Sequence, residues 1–348
     1  MRVAVISSTV FVCPPSGYSG LEMLAWQQAK GLATRGHQVA LIAPQGSTCP
    51  GVEIIPNGPP GGWDEKQAYS QYWGQLLRGW DAVIDNTWQK WSYSLKQEGR
   101  LKAPVLSVCH APINTMFQSL PLVDKPCFVC ISQDQADHFK ALFSREAKVA
   151  YNGVDLDFYR PLGIPRTDRF LFLARFSTIK GPDIAIEACK QAGVGLDLVG
   201  DTSITNEPEY LEQCKKMCDG KQIRMVGPMS RSECVYWFSQ AHCLIHANER
   251  FREPFGLSPV EAMACGCPVI AWDHGAMRET VGTDNSTGYL VNSYQDLVGA
   301  VRHAAVWDKT CLDALRSQCR RRAMLFTEER MITRYEELCS EAIATGGW

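Results

Sequence analysis

Apolar residues in this chain come in short dense runs separated by stretches of helical length. The first run, "RVAVISS", is nearly uninterrupted Val, Ala and Ile, which marks a strand buried on both faces rather than a half-exposed one that alternates. "HQVALIA", "DAVIDN", "PVLSVCH" and "CFVCIS" repeat the pattern, and a last strand of this half falls near "AKVAYNG". Between the first two runs, Leu21, Leu24, Ala25, Gln28 and Leu32 follow the spacing of a helix packed on a sheet, ending at Gly36. A further helix is predicted from about Asp134.

After the turn-rich, Pro-bearing stretch "NGVDLDFYRPLGIPRTDR" the pattern restarts, as it would across a domain linker. "FLFLARF", "LDLVG", "IRMVG", "HCLIHA" and "PVIAW" read as strands. Helices are predicted from Pro182, near 207 to 219, near 230 to 240 and from Ser258. Strands alternating with helices give an α/β fold class, here two doubly wound Rossmann-like domains facing each other across a cleft. In such sheets ligands bind beyond the carboxyl ends of the strands, near helix starts. No short-period repeat or low-complexity tract is present, which argues against a solenoid.

Length and composition agree with two domains. A chain of 348 residues is long for one core and comfortable for two. Formal net charge is -2, and residues 1 to 160 carry 14 Lys plus Arg against 13 Asp plus Glu, so no basic footprint for nucleic acid shows at that level. The opening run is too short for a secretory signal and no run of about 18 apolar residues occurs, so no spanning helix is expected. Fifteen scattered cysteines do not form a disulfide framework, and a reducing cytoplasm is the simpler expectation, with peripheral membrane association left open. Cys127 and Cys130 form a CxxC on a core strand with no second pair to complete a zinc site. Cys265, Cys267, His242, Cys243 and His246 lie in apolar surroundings, and structural thiols are expected throughout.

The candidate chemistry concentrates in the second half. In "EPFGLSPVEAMACGCPVIA", Glu253 and Glu261 stand eight positions apart, with no further charge until Asp273. Ser258, Pro259, Val260 and Glu261 spell a capping box with proline at the first helical position. A helix start there would attract anions, and Gly256 would let a ligand approach the backbone closely. Capping alone would account for Glu261; Glu253, before a proline and outside the helix, has no such duty. Upstream, Arg175 follows a strand and Lys180 precedes a Gly-Pro helix start, cations suited to a diphosphate. Taken singly, either is also an ordinary solvated loop residue.

Together these residues carry a resemblance. "ARFSTIKG", followed about 75 residues later by "EPFGLSPVEAMACGCPVIAW", resembles retaining glycosyltransferases of the family 4 type, with the GT-B architecture. The likeness runs over nearly the whole chain, through "SGLEMLAWQQAKGLATRGHQV", "HAP", "NGVDLDFYRP" and "HGAMRETV...STGYLV". It implies a nucleotide-diphosphate sugar donor on the second domain, transferred to an acceptor hydroxyl without a metal or other cofactor. By the same resemblance Arg175 and Lys180 neutralise the diphosphate and Glu261 takes the ribose hydroxyls. Glu253 holds hydroxyls of the transferred sugar with the amides of Phe255, Gly256 and Leu257, and the base lies near Met229. His110 matches a family histidine that contacts the transferred sugar, although a lone histidine at a strand end is also simply a satisfied polar residue. Gly20 keeps the place of a glycine that approaches donor phosphates, but Ser19 stands where many relatives have a second glycine.

The implied boundaries are 1–160, 161–328 and a last helix, 329–348, crossing back to the first domain. Epimerases and phosphorylases of the same architecture, and a non-catalytic sugar-nucleotide-binding subunit, are the alternatives. For the acceptor, Trp63, Tyr69, Tyr72, Trp73, Trp88, Trp91 and Tyr93 are either sugar-stacking surfaces or core anchors. The even charge of the first half favours a small soluble or saccharide acceptor over a lipid.

Overall fold

The computed structural model describes residues 1–17, 19–62, 64–113, 125–200, 202 and 207–348. Trp63 lies outside them.

The chain folds into two compact units, Met1–Gly153 with Glu328–Trp348, and Val154–Thr327. Residues 154 to 160, expected in the first domain, therefore belong to the second. Val154 pairs with Thr327 and its amide bonds the Phe326 carbonyl at 2.8 Å, so the entering and leaving strands of the chain zip together at residue 154.

The first unit is a seven-stranded parallel sheet in the order β3-β2-β1-β4-β5-β6-β7. Its strands are β1 (Arg2–Ile6), β2 (Gln38–Ala43), β3 (Glu53–Pro56), β4 (Ala82–Asp85), β5 (Val105–Cys109), β6 (Phe128–Cys130) and β7 (Lys148–Val149). Val3, Ala4, Val5 and Ile6 are wholly buried, as a central strand covered by helices on both faces requires. β3 and the helices Glu65–Leu76 and Ser92–Gln97 were not legible in the sequence: β3 is four residues ending in proline, and the first of those helices is largely polar.

The last helix, Glu328–Thr345, joins this unit through a stripe of Met331, Ile332, Tyr335, Leu338, Cys339 and Ala342 at helical spacing. Gly31, in helix Gly20–Thr34, is where it docks: a Cβ there would meet Ile332 Cγ1 at 2.5 Å. Beside that contact Glu336 accepts from Arg35 and pairs with His37, each at 2.7 Å.

The second unit holds β8 (Phe170–Leu173), β9 (Leu196–Val199), β10 (Ile223–Gly227), β11 (Leu244–His246), β12 (Val269–Trp272) and β13 (Gly288–Val291), all parallel, in the order β10-β9-β8-β11-β12-β13. The expected helices appear at Pro182–Ala192, Pro208–Met217 and Arg231–Gln240. The chain after Trp272 adds helices Met277–Thr280, Tyr294–Ala305 and Lys309–Ala323. Both units are thus Rossmann-like α/β folds, the pair of domains that defines the GT-B class. All fifteen cysteines are free and thirteen are buried, so they serve as small core residues.

Candidate functional site

In the second sheet the chain builds outward from β8 to β10, then returns to lay β11 on the other side of β8. The loops leaving β8 and β11 therefore diverge, and a crevice opens at their carboxyl ends. Arg175 and Lys180 lie in the loop after β8, and Glu253 in the loop after β11.

The topology brings Lys180 and Glu253, 73 positions apart, into one ion pair with Nζ 2.5 Å from Oε2. Both side chains are largely buried, 15% and 12% exposed. Asn248 Nδ2 donates to the same oxygen at 3.1 Å, while His246 Nε2 stands 3.7 Å away, beyond hydrogen-bond range. Burial opposes the charge on Glu253, but Lys180 and His246 outweigh it and hold the carboxyl well below the usual range. Burial also lowers the His246 pKa, against the upward pull of Glu253, so at neutral pH the imidazole is uncharged. Arg175 is half-buried nearby in sequence and has no ion pair among the described residues.

Backbone packing fixes these loops. Gly181 has φ +66, and a Cβ there would sit 2.3 Å from the Ala247 carbonyl oxygen, so only glycine lets the β8 loop rest on the end of β11. Gly275, at φ +62, does the same against the main chain of Glu253, whose carbonyl also accepts from Ala276 N at 2.9 Å. Arg250 forks onto Asp183 at 3.0 and 2.9 Å, tying the β11 loop to the helix that follows Lys180.

The expected capping box does not form. Helix Leu257–Ala264 starts one residue earlier than predicted, with Gly256 as its N-cap in a left-handed conformation and no side-chain cap. Ser258 and Glu261 therefore fall inside the helix, and the capping explanation of Glu261 falls with it. Helix Pro182–Ala192 begins in the same way on Gly181. Two helices thus start on bare glycines at the carboxyl end of one sheet, offering first-turn amides and positive dipole ends.

Phe255 is buried, its ring edge-on to Phe326 at 5.5 Å, so what it can offer a ligand is backbone. Leu257 is the first helical residue. Glu261 is 6% exposed and neighbours Tyr159 and Arg231, whose guanidinium lies over the Tyr159 ring at 5.5 Å. Met229 is half-buried in the turn between β10 and helix Arg231–Gln240.

The first unit has the same kind of switch point, between β1 and β4, with different chemistry. His110 follows β5 and its Nε2 lies 2.9 Å from Asn86 Oδ1, just past β4. Asn86 donates in turn to Gln28 Oε1 at 2.8 Å, so His110 Nε2 carries the proton and Nδ1 keeps its lone pair. Burial, aided by the charge of Lys90, pushes the His110 pKa down to about 3. Gly20 opens helix Gly20–Thr34 after Ser19. The Ser19 hydroxyl makes no cap; it and Ser8 both donate to the buried carboxylate of Glu22. That bond gives Ser19 a role at the place where many relatives have glycine.

Sequence reasoning missed Asn248, Gly275 and Asn86, and set His246 aside as structural. Asn248 and His246, five and seven residues before Glu253, were the available signal. His242, by contrast, is structural, bonding the Ala304 carbonyl at 2.7 Å. Among the described residues no group of three metal-ligating side chains occurs, and no helix is long and apolar enough to cross a membrane.

Residues 18–158 match the family model Glycosyltransferase Family 4, and residues 160–313 match Glycosyl transferases group 1. The D-inositol 3-phosphate glycosyltransferases of Mycobacterium tuberculosis H37Rv and Mycobacterium bovis AF2122/97 are 26% identical over 326 residues, covering 80% of this chain and 66% of theirs. The chain spans just under two thirds of the length of those relatives. Among solved structures, sucrose-phosphate synthase from Thermosynechococcus elongatus superposes with a TM-score of 0.82 at 20% identity, over 99% of both chains. HepE of Anabaena, solved with UDP and glucose, gives 0.75 at 20% identity over 98% of this chain and 99% of that one.

Proposed function

The chain belongs to the family 4-type glycosyltransferases, and from that premise we propose that it moves a sugar from a nucleotide-diphosphate donor to an acceptor hydroxyl, with retention at the anomeric carbon and without a metal. The observation that carries the donor assignment is the division of labour on Glu253. Its Oε2 takes both Lys180 and Asn248, which leaves Oε1 for a hydroxyl of the transferred sugar. The Lys180 ammonium has three donors, so it can keep one on Glu253 and turn the others to phosphate.

On this reading Lys180, Arg175 and the amides of Phe255, Gly256 and Leu257 receive the diphosphate at the two glycine-started helices. The bond from the anomeric carbon to the phosphate oxygen breaks, the acceptor oxygen takes its place, and the proton of the acceptor hydroxyl passes to an oxygen of the departing diphosphate. Charge builds on the departing diphosphate, and fixed cations and amides in a largely buried site stabilise it without reorganising. Glu261 binds the ribose hydroxyls and main chain near Met229 the base. Gly20 marks a close backbone approach to the donor phosphates. His110, uncharged and with Nδ1 free, accepts from a sugar hydroxyl and is not a general base, since a group that titrates near 3 holds a proton too weakly.

The test is acceptor-dependent release of nucleoside diphosphate from UDP-, GDP-, ADP- and dTDP-sugars, with the product's anomeric configuration read by proton NMR. Retained configuration and turnover that survives EDTA support the reading. An inverted product, an epimerised free donor, or activity that EDTA abolishes and magnesium restores would refute it.

A further inference from the structure

The loop after β4, residues 86 to 91, is built with unusual cost. Lys90 is 1% exposed, in a left-handed conformation at φ 54, and its ammonium bonds three main-chain carbonyls, those of Asp85 at 2.9 Å, Val108 at 2.9 Å and Thr87. Asp85, wholly buried, takes the Thr87 amide at 2.8 Å and hydroxyl at 2.6 Å, and the Ser92 hydroxyl as well. From outside the loop, buried Glu65 accepts the amides of Trp88 at 2.8 Å and Gln89 at 2.5 Å. Burying an ammonium and two carboxylates carries a large desolvation penalty, and well-packed apolar residues would often serve stability as well.

What this framework holds still is a tip of two exposed residues, Trp88 and Gln89, between buried Thr87 and buried Lys90. Trp88 is 38% exposed and its ring has no ring-ring or cation contact among the described residues. Among the described residues, Trp91 stacks with Tyr69 at 6.2 Å, and Trp73 carries Arg100 at 4.6 Å. Gln89, the next residue in the exposed tip, spends its oxygen on Trp91 Nε1 at 2.7 Å, which leaves its NH2 as a donor. Topology supplies a second, independent pointer. The sheet order puts the β4 loop at the switch point of the first unit, where ligands of doubly wound sheets bind, and it follows directly from Asn86, the partner of His110.

We infer that Trp88 and Gln89 form the acceptor subsite, with the indole face stacking on the C–H face of a saturated polyhydroxylated ring, a pyranose or a cyclitol, and the Gln89 amide donating to one of its hydroxyls. Such a ring presents apolar C–H groups on one face and hydroxyls at its rim, which matches a rigid aromatic plane bordered by an amide donor. A flexible lipid chain needs no fixed plane, and neither ammonium of this region is turned to an anionic acceptor: Lys90 is consumed by carbonyls and Lys66 lies over the Trp91 ring at 5.3 Å. Holding the platform rigid before binding reduces the entropy lost on binding. The inference rests on the glycosyltransferase reading above, and it specifies the acceptor class.

The experiment uses the full chain with methyl β-glucopyranoside, maltose and myo-inositol as probes, observed by saturation-transfer NMR in the presence of UDP. Saturation transfer to the ring C–H protons of at least one probe is expected with wild type. It should be lost in Trp88→Ala and largely kept in Trp88→Phe, with acceptor KM rising about tenfold or more in Trp88→Ala while donor KM is unchanged. Stabilisation by the donor, read as a thermal shift, should be equal in wild type and variant. Absence of transfer from all three probes, or equal transfer in wild type and Trp88→Ala, overturns this inference while leaving the donor assignment standing. Loss of the donor shift in wild type would instead refute the donor assignment.

Discussion

The two units are built on nearly the same strand order yet fill their switch points with opposite chemistry. In the second, the loops after β8 and β11 carry a charged pair, Lys180 and Glu253, beside two helix starts capped only by glycine. In the first, the loops after β4 and β5 carry a neutral pair, Asn86 and His110, and the buried ammonium of Lys90 is spent on carbonyls. Topology decides where a ligand can sit; a handful of loop residues decides which one. Charged, amide-rich loops suit a departing diphosphate, and neutral loops with an exposed aromatic suit a polyol that must be oriented.

If that division holds, removing charge from the second unit should hurt far more than trimming the first. Glu253→Ala is expected to cut turnover about 10²–10³-fold, the scale of losing a preorganised electrostatic contact. His110→Asn should cost only about tenfold, one hydrogen bond's worth. Comparable losses measured as nucleoside diphosphate release would erase the contrast.

The stability of the pair is the next largest effect. Lys180→Met or Glu253→Gln alone strands a largely buried partner and should cost roughly 3 kcal/mol in denaturant unfolding. The double variant should recover part of that loss, because neither charge is then left alone. Strict additivity of the two singles would mean that they do not interact in solution.

The neutral site should show itself in acid. An unfolded histidine titrates near 6.5, whereas His110 in the fold titrates near 3, so its contribution is complete above pH 6.5 and drains away as pH falls toward 3. Thermal midpoints of wild type and His110→Asn, compared at pH 7 and 4.5, should show a smaller acid loss in the variant. Glu253 acts in the same sense at lower pH, its contribution fading below the ordinary carboxylate value of 4.5.

The smallest effect concerns the start of helix Leu257–Ala264. Since Gly256 and not Ser258 caps it, Ser258→Ala should change stability by less than about 0.5 kcal/mol, where loss of a true N-cap costs about 1 kcal/mol. Gly256→Ala, strained at φ +84, should cost about 1 kcal/mol or more. A larger loss for Ser258→Ala than for Gly256→Ala would restore the capping box.

Much of the fold was legible because central parallel strands must be continuously apolar: "VAVI", "FLFL" and "VIAW" could hardly be anything else. β3 escaped because an edge strand needs no such run, and its two apolar residues carry little signal. At the site, residue types and their positions on loops were readable, and so was the company of Arg175, Lys180 and Glu253. Their pairing was not, since a contact across 73 positions depends on which strand lies beside β8. The capping box misled because "SPVE" satisfies the motif, while the left-handed turn at Gly256 that starts the helix earlier depends on Met277 and Glu253 packing around it. Lys90 gave no signal at all, because lysine in a loop is ordinarily solvated.

Affinity for nucleoside diphosphates tests the central claim most directly. Isothermal titration of UDP, GDP, ADP and dTDP against wild type and the Arg175→Ala/Lys180→Ala double variant should show one preferred ligand whose Kd rises about 100-fold or more in the variant, as expected when two charge-assisted contacts are lost. An unchanged Kd, with both proteins folded, would contradict the placement of the diphosphate in the second unit.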